Sequence, residues 1–223
     1  FHTVKLETLQ KKAAQSKNKI IEPTNTLPLQ DLYINKDDGL NQKYTFNNFV
    51  VGGFNELAYA AGQAIIKSPG IVYNPLFIYG NTGLGKTHLI QAIGNTIKNS
   101  HSDKKVFYTS LEKYYIEFVS ATHNQKINNF KEKYKKYDVF IMDDIQFING
   151  KEKTQDELFH LFNSLHNDNK QIVFSSDKHP NFIVGLEDRL RSRFNQGMIV
   201  DVGSPDYESR IDILQTKIKN RPA

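Results

Sequence analysis

The eight residues Gly80-Asn81-Thr82-Gly83-Leu84-Gly85-Lys86-Thr87 limit the fold more than any other part of this chain. They satisfy G-x-x-x-x-G-K-[ST] in full, between an apolar run, Leu76–Tyr79, and a segment of helical periodicity, Lys86–Lys98. A strand that turns through glycines into a helix aims backbone N–H groups and a helix N-terminus at one point, which suits phosphate. Glycines at 80, 83 and 85 let the backbone close around phosphates. Lys86 is expected to reach the β- and γ-phosphates, and Thr87 to place its hydroxyl on Mg²⁺. ATP, with ADP as its product, is the expected ligand.

The flanking pattern predicts the sheet that such a loop requires. Short apolar runs at Leu76–Tyr79, Val106–Thr109, Val139–Met142, Ile172–Phe174 and Met198–Val202 have the length of strands buried on both faces. Helical periodicity fills the intervals at Glu56–Lys67, Lys86–Lys98, Leu111–Lys136 with a break near Asn124, Thr154–Asn167 and Asp206–Lys219. Thr154 with Glu157 reads as a capping box, and Ser204-Pro205 as a helix start with Pro at the first position. Alternation of this kind predicts one α/β domain with a parallel sheet covered on both sides. Residues 1–42 lack sustained apolar periodicity. They read as a linker, ordered in part at best, with a short helix over Val4–Ala14; the folded core is expected over 43–223.

Composition excludes several classes. The 223 residues contain no cysteine, which rules out disulfides and thiolate chemistry. No run of about 18 apolar residues and no signal-peptide pattern occurs, so a cytoplasmic protein without a spanning segment is expected. The chain does not begin with Met, which points to a processed or shortened protein. A net charge of +5 permits contact with nucleic acid without demanding it. The basic side chains are uneven: His101–Lys136 carries eight lysines against four acidic residues, interleaved with aromatics that also suit a core.

Three further clusters bear chemistry. Val139–Met142 ends in Asp143 and Asp144, at the strand ends where open parallel sheets bind ligands. Asp143 is expected to hold Mg²⁺, directly or through water, and Asp144 to orient or deprotonate an attacking water. Ser175-Ser176-Asp177 ends a third strand, as a phosphate sensor or as a simple turn. Arg189, Arg191 and Arg193 crowd one short segment. They either pair with Glu187 and Asp188 or extend an arginine toward ATP on a neighbouring subunit.

Taken in order, these motifs together with Tyr44-Thr45-Phe46-Asn47-Asn48-Phe49-Val50-Val51-Gly52 and Asp143-Asp144-Ile145-Gln146-Phe147 resemble the DnaA family of bacterial replication initiators, in the AAA+ class. The likeness runs from about Tyr44 to Lys219. It implies a P-loop αβα core with a five-stranded parallel sheet. Phe49, Val50 and Val51 would lie near adenine, and Gly80, Thr82, Gly83, Leu84, Gly85, Lys86, Thr87 and His88 would contact nucleotide. Thr87 and Asp143 would hold the metal. Lys86, Asp143, Asp144, Asp177 (as sensor) and Arg193 (as intersubunit finger) would serve hydrolysis, with Arg189 a second interface arginine.

The resemblance also implies a helical wedge at Leu111–Lys136 that grips single-stranded DNA through Val119 and Lys153. Many relatives carry Arg at the latter position; Lys keeps the charge but loses the planar fork. By the same likeness a lid with a sensor arginine and a helix-turn-helix reading duplex origin DNA would follow Ala223. The implied function is an ATP-dependent initiator of chromosomal replication that assembles into a helical filament, opens DNA, meets the replicative helicase or its loader, and is switched off by slow hydrolysis. A helicase loader, a regulatory paralogue and a non-catalytic ATP-switched interaction module remain as alternatives.

Overall fold

The computed structural model describes residues 33–219. The expected helix at Val4–Ala14 and most of the expected linker lie outside them. Five strands, β1 (Leu76–Tyr79), β2 (Val106–Ser110), β3 (Val139–Asp143), β4 (Gln171–Ser176) and β5 (Met198–Asp201), form one sheet in the order β2-β3-β4-β1-β5. Every pairing is parallel.

Strand periodicity sorts the side chains by chemistry. Leu76, Ile78, Val106, Val139, Ile141 and Val173 face one layer, formed by α1 (Glu56–Lys67) and α2 (Lys86–Ser100). Phe77, Phe107, Phe140, Met142, Ile172 and Phe174 face the other. There α3 (Leu111–His123), α4 (Ile127–Lys135), α5 (Glu152–Asn167) and α6 (Asp188–Phe194) supply Tyr114, Phe130, Tyr134, Leu158, Phe162 and Phe194. Each fully buried aromatic contributes roughly 1.5–3 kcal/mol through area removed from water. The aromatics at 114, 130 and 134 therefore act as core. Helix α7 (Tyr207–Lys219) follows β5 and leaves Tyr207, Leu214 and Ile218 exposed.

Several local expectations change. The periodic stretch 111–136 breaks at Asn124–Lys126 into α3 and α4, as its pattern suggested. The capping box does not form: α5 begins at Glu152, so Thr154 lies inside it and is buried. Pro205 is not the first residue of α7 either. Asp206 stands before the helix and its carboxylate accepts from Ser209 N at 2.8 Å, which lowers its pKa.

The packed unit also begins earlier than residue 43. Ile34 and Asn41 form an antiparallel bridge that closes a small hairpin, and Leu40 is 0 % exposed in the aliphatic layer. Tyr108 N donates to Asp38 O at 2.7 Å, and Lys98 pairs with the Asp38 carboxylate. The hairpin thus covers the outer edge of β2, whose backbone groups would otherwise stay open.

Candidate functional site

The site lies beyond the C-terminal ends of β1, β3 and β4, and β4 stands between the other two. The loop leaving β1 turns tightly at Gly80, where a Cβ would meet Val202 O at 2.3 Å. Gly85 takes φ +87° as the N-cap of α2, a conformation that side chains disfavour. Lys86, 8 % exposed, folds back so that its Nζ donates to Gly80 O at 2.6 Å and Asn81 O at 2.9 Å. Burial lowers its pKa, opposed by the charges of Asp143, Asp144 and Asp177.

One buried carboxylate organises the centre. Asp143, 2 % exposed, accepts at Oδ2 from Thr87 Oγ1 at 2.7 Å and from the Tyr108 hydroxyl at 2.9 Å. Its Oδ1 accepts from Ser175 Oγ and, at 3.1 Å, from Asp144 N. Asp144 itself adopts φ +59°, and its raised pKa comes first from burial and then from the charge of Asp143. Gln146 ties two strand ends together: Nε2 donates to Asp144 Oδ1 at 2.9 Å and Oε1 accepts from Asp177 N at 3.2 Å. The buried Asp177 Oδ1 has no hydrogen-bond partner.

A cleft of about 470 Å³ runs from this centre along the P-loop. Phe49, Val50, Thr82, Gly83, Leu84, Gly85, Lys86, Thr87, His88 and Asp144 line it. Its apolar end is built by the aromatic segment before α1. Asn55 bridges Val50 O and Gly52 N at 2.9 Å each, while Phe49 meets His88 edge-on at 5.1 Å. His88 faces Thr45 O at 2.9 Å, and burial holds its pKa down, with Lys217 adding to the effect. Val51, 42 % exposed, is absent from the lining, and Gly80 contributes its carbonyl to Lys86 rather than a wall. Asp177 faces a neighbouring hollow that also includes Gly80, Tyr79 and His179.

The donor set suits a hard divalent cation. Thr87 Oγ1 and Asp143 Oδ2 are adjacent oxygens, and no cluster of three or more acidic, His or Cys ligands exists among the described residues. Phosphate and water would have to supply the remaining ligands, which is how Mg²⁺ is commonly held.

The other sequence-selected residues stand apart from the cleft. Arg189 pairs with Asp156 and Glu187, and Arg191 with Asp188, so intrachain ion pairs account for both. Arg193 has no acidic partner among the described residues; its guanidinium meets Gln196 Oε1 at 3.3 Å. Val119 is 46 % exposed on α3 and Lys153 is exposed on α5. Lys151 Nζ sits 5.0 Å above the Tyr115 ring, which makes those two segments neighbours.

Sequence reasoning assigned no role to Tyr108, Gln146, Asn55, Ile213 or Lys217, although each meets the centre or its cleft, and it read Ser175 only as part of the polar end of its strand. For Tyr108 and Ser175 the available signal was their place near the ends of strands β2 and β4.

Comparison with known proteins gives the same architecture. Domain III of the Thermotoga maritima replication initiation protein DnaA is 47% identical, with a TM-score of 0.79, covering 81% of this chain and 75% of that one. A replication initiator DnaA bound to AMPPCP and single-stranded DNA is 43% identical, with a TM-score of 0.77, covering 82% and 56%. A further structure, described as a DNA replication initiation factor, is 43% identical, with a TM-score of 0.78 and the same two coverages. The chain therefore spans about half the length of these longer relatives. The family model for the bacterial DnaA ATPase domain matches residues 40–201, from the buried hairpin residue Leu40 through the last strand. With that match over most of the chain, on a fold that assembles the P-loop and the paired aspartates, this protein belongs to the bacterial DnaA ATPase domain family.

Proposed function

We propose that this chain is the nucleotide-switched core of an initiator of chromosomal DNA replication. The observation that carries the reading is the convergence of Lys86, Thr87, Asp143, Asp144 and Asp177 at three strand ends, with Lys86, Thr87 and Asp144 on the wall of one cleft. ATP would lie with adenine toward Phe49 and Val50 and its phosphates in the P-loop. Lys86 would exchange its two loop carbonyls for phosphate oxygens, which return it to an anionic partner. Bound Mg²⁺, held by Thr87 with Asp143, would neutralise phosphate charge.

Asp144 is suited to the water. Gln146 occupies its Oδ1, leaving the second oxygen to accept a proton, and burial has already raised its affinity for one. Asp177 would report the γ-phosphate to β4, the strand between the P-loop strand (Walker A) and the strand ending in the paired aspartates (Walker B). Hydrolysis would be slow, because a switch needs its ATP state to persist.

Arg193 would complete the site of a second copy, producing a filament only with ATP. Single-stranded DNA would cross the surface of α3 and the start of α5, with Val119 and Lys153 in contact; AMPPCP and single-stranded DNA occur together in the relative cited above. Replicative helicase or its loader would act downstream, and the cytoplasm is the fitting compartment. The helicase-loader alternative loses support because the matching family model is that of the initiator ATPase domain.

Equilibrium titration with ATP and ADP tests the core of the proposal. Wild type should bind both, Lys86→Ala should weaken ATP by tenfold or more, and single-stranded DNA should bind more tightly with ATP than with ADP. Absence of nucleotide binding by the wild type would remove the reading.

A further inference from the structure

We infer that Tyr108 is a positioning residue for the metal-holding carboxylate, and that the hairpin 34–41 sets it in place. Four donors meet Asp143, and two of them, Thr87 Oγ1 and Asp144 N, belong to the catalytic loops themselves. The other two come from the strands on either side of β3. Ser175 on β4 takes one carboxylate oxygen and Tyr108 on β2, at 2.9 Å, takes the other. A carboxyl group held at opposite oxygens from opposite neighbours cannot rotate about its Cβ–Cγ bond without breaking a hydrogen bond. Its plane is thereby fixed before any ligand arrives, as hydrogen-bond donors behind a metal's ligands do.

Tyr108 is in turn anchored from outside the nucleotide machinery. Its N–H donates to Asp38 O at 2.7 Å, and Gly39 approaches so closely that a Cβ there would lie 2.3 Å from Tyr108 O. Gln91 Oε1 accepts from Asn41 N at 2.8 Å, which ties the end of the hairpin to α2. A continuous path results through Asp38, Tyr108, Asp143 and Thr87. It joins the segment at the entrance of the domain to the point where the cation and the terminal phosphates would sit.

This inference rests on the nucleotide reading proposed above, and the experiment separates the two. Tyr108→Phe removes one oxygen and keeps the ring. A fluorescent ATP analogue is titrated into wild type, Tyr108→Phe and Gln91→Met, once in EDTA and once across a Mg²⁺ series, with thermal melts alongside. In EDTA the three proteins should bind equally. The Mg²⁺ concentration giving half of the affinity gain should rise about tenfold or more for Tyr108→Phe, and by less for Gln91→Met. A merely structural tyrosine would lower the melting temperature and leave the Mg²⁺ midpoint at the wild-type value, which overturns the inference. A wild type that binds the analogue without regard to Mg²⁺ overturns the cation site and the inference together.

Discussion

Arg189 and Arg193, one helical turn apart on α6, share the ring of Phe159, with their guanidinium carbons 5.2 Å and 5.7 Å from its centroid. Only Arg189 is also tied by carboxylates, those of Asp156 and Glu187. The two arginines should therefore separate in mutagenesis. Arg189→Ala should destabilise the monomer, each exposed ion pair contributing about 0.2–1 kcal/mol, measurable by urea denaturation. Arg193→Ala loses the Phe159 contact but no ion pair among the described residues, so it should lower monomer stability by less and leave nucleotide affinity unchanged. It should lower ATP turnover in assembled protein by about 10³-fold or more, as loss of an arginine finger does. A variant that assembles and hydrolyses normally would remove that assignment.

Asp144 gives a pH signature. Burial and Asp143 raise its pKa above the ordinary value of 3.8, so the native state binds its proton at higher pH than the unfolded chain does. Above the raised pKa both states are ionised and the native state carries the full cost of the buried charge. Asp144→Asn should raise the melting temperature of nucleotide-free protein at pH 7, keeping the acceptor for Gln146. The advantage should shrink as pH falls through the raised pKa toward the ordinary carboxylate range, where wild type is protonated in both states. Turnover should fall about 10²-fold or more with loss of the base. Melting curves from pH 4 to 8 and single-turnover hydrolysis check the two halves.

Leu40 lies in the segment expected to be linker, yet it is fully buried against the aliphatic layer. Leu40→Ala should cost about 2–5 kcal/mol, the range for a core leucine. Chemical denaturation checks it, and a value near zero would return the hairpin to the linker.

Lys153 and Val119 should weaken single-stranded DNA binding in different ways. Lys153→Ala should reduce the dependence of log affinity on log salt by about 0.7, one released counterion on a single strand. Val119→Ala should lower affinity while leaving that slope alone, because it removes an apolar contact and no charge. Fluorescence anisotropy over a salt series distinguishes them.

The P-loop, the five strands and the acidic pair were legible because each depends on local spacing. A glycine pattern needs only its flanking strand and helix, and short apolar runs rich in β-branched and aromatic residues between turn signals read as strands. Tyr108 was not legible, and Ser175 only as part of a polar strand end, because their partner Asp143 lies on another strand. Only the sheet order makes them neighbours of Asp143, and it also brings Gln146, already two residues from Asp144, to Asp177. Thr154 failed as a cap for a related reason. The helix gained a turn before it, and its side chain entered the core instead. The hairpin 34–41 was hidden by its polar composition; one leucine and a few hydrogen bonds to α2 and β2 hold it.

The placement of β4 between β1 and β3 also governs when the chain becomes able to bind. Walker A and Walker B cannot meet across a gap that a later strand must fill, so no early fragment of the chain contains a working cleft. A chain emerging from the ribosome would have to release β4 before its first encounter with ATP. Occupancy of the cleft then reports completion of the sheet, and ligand binding stabilises only molecules that have finished folding.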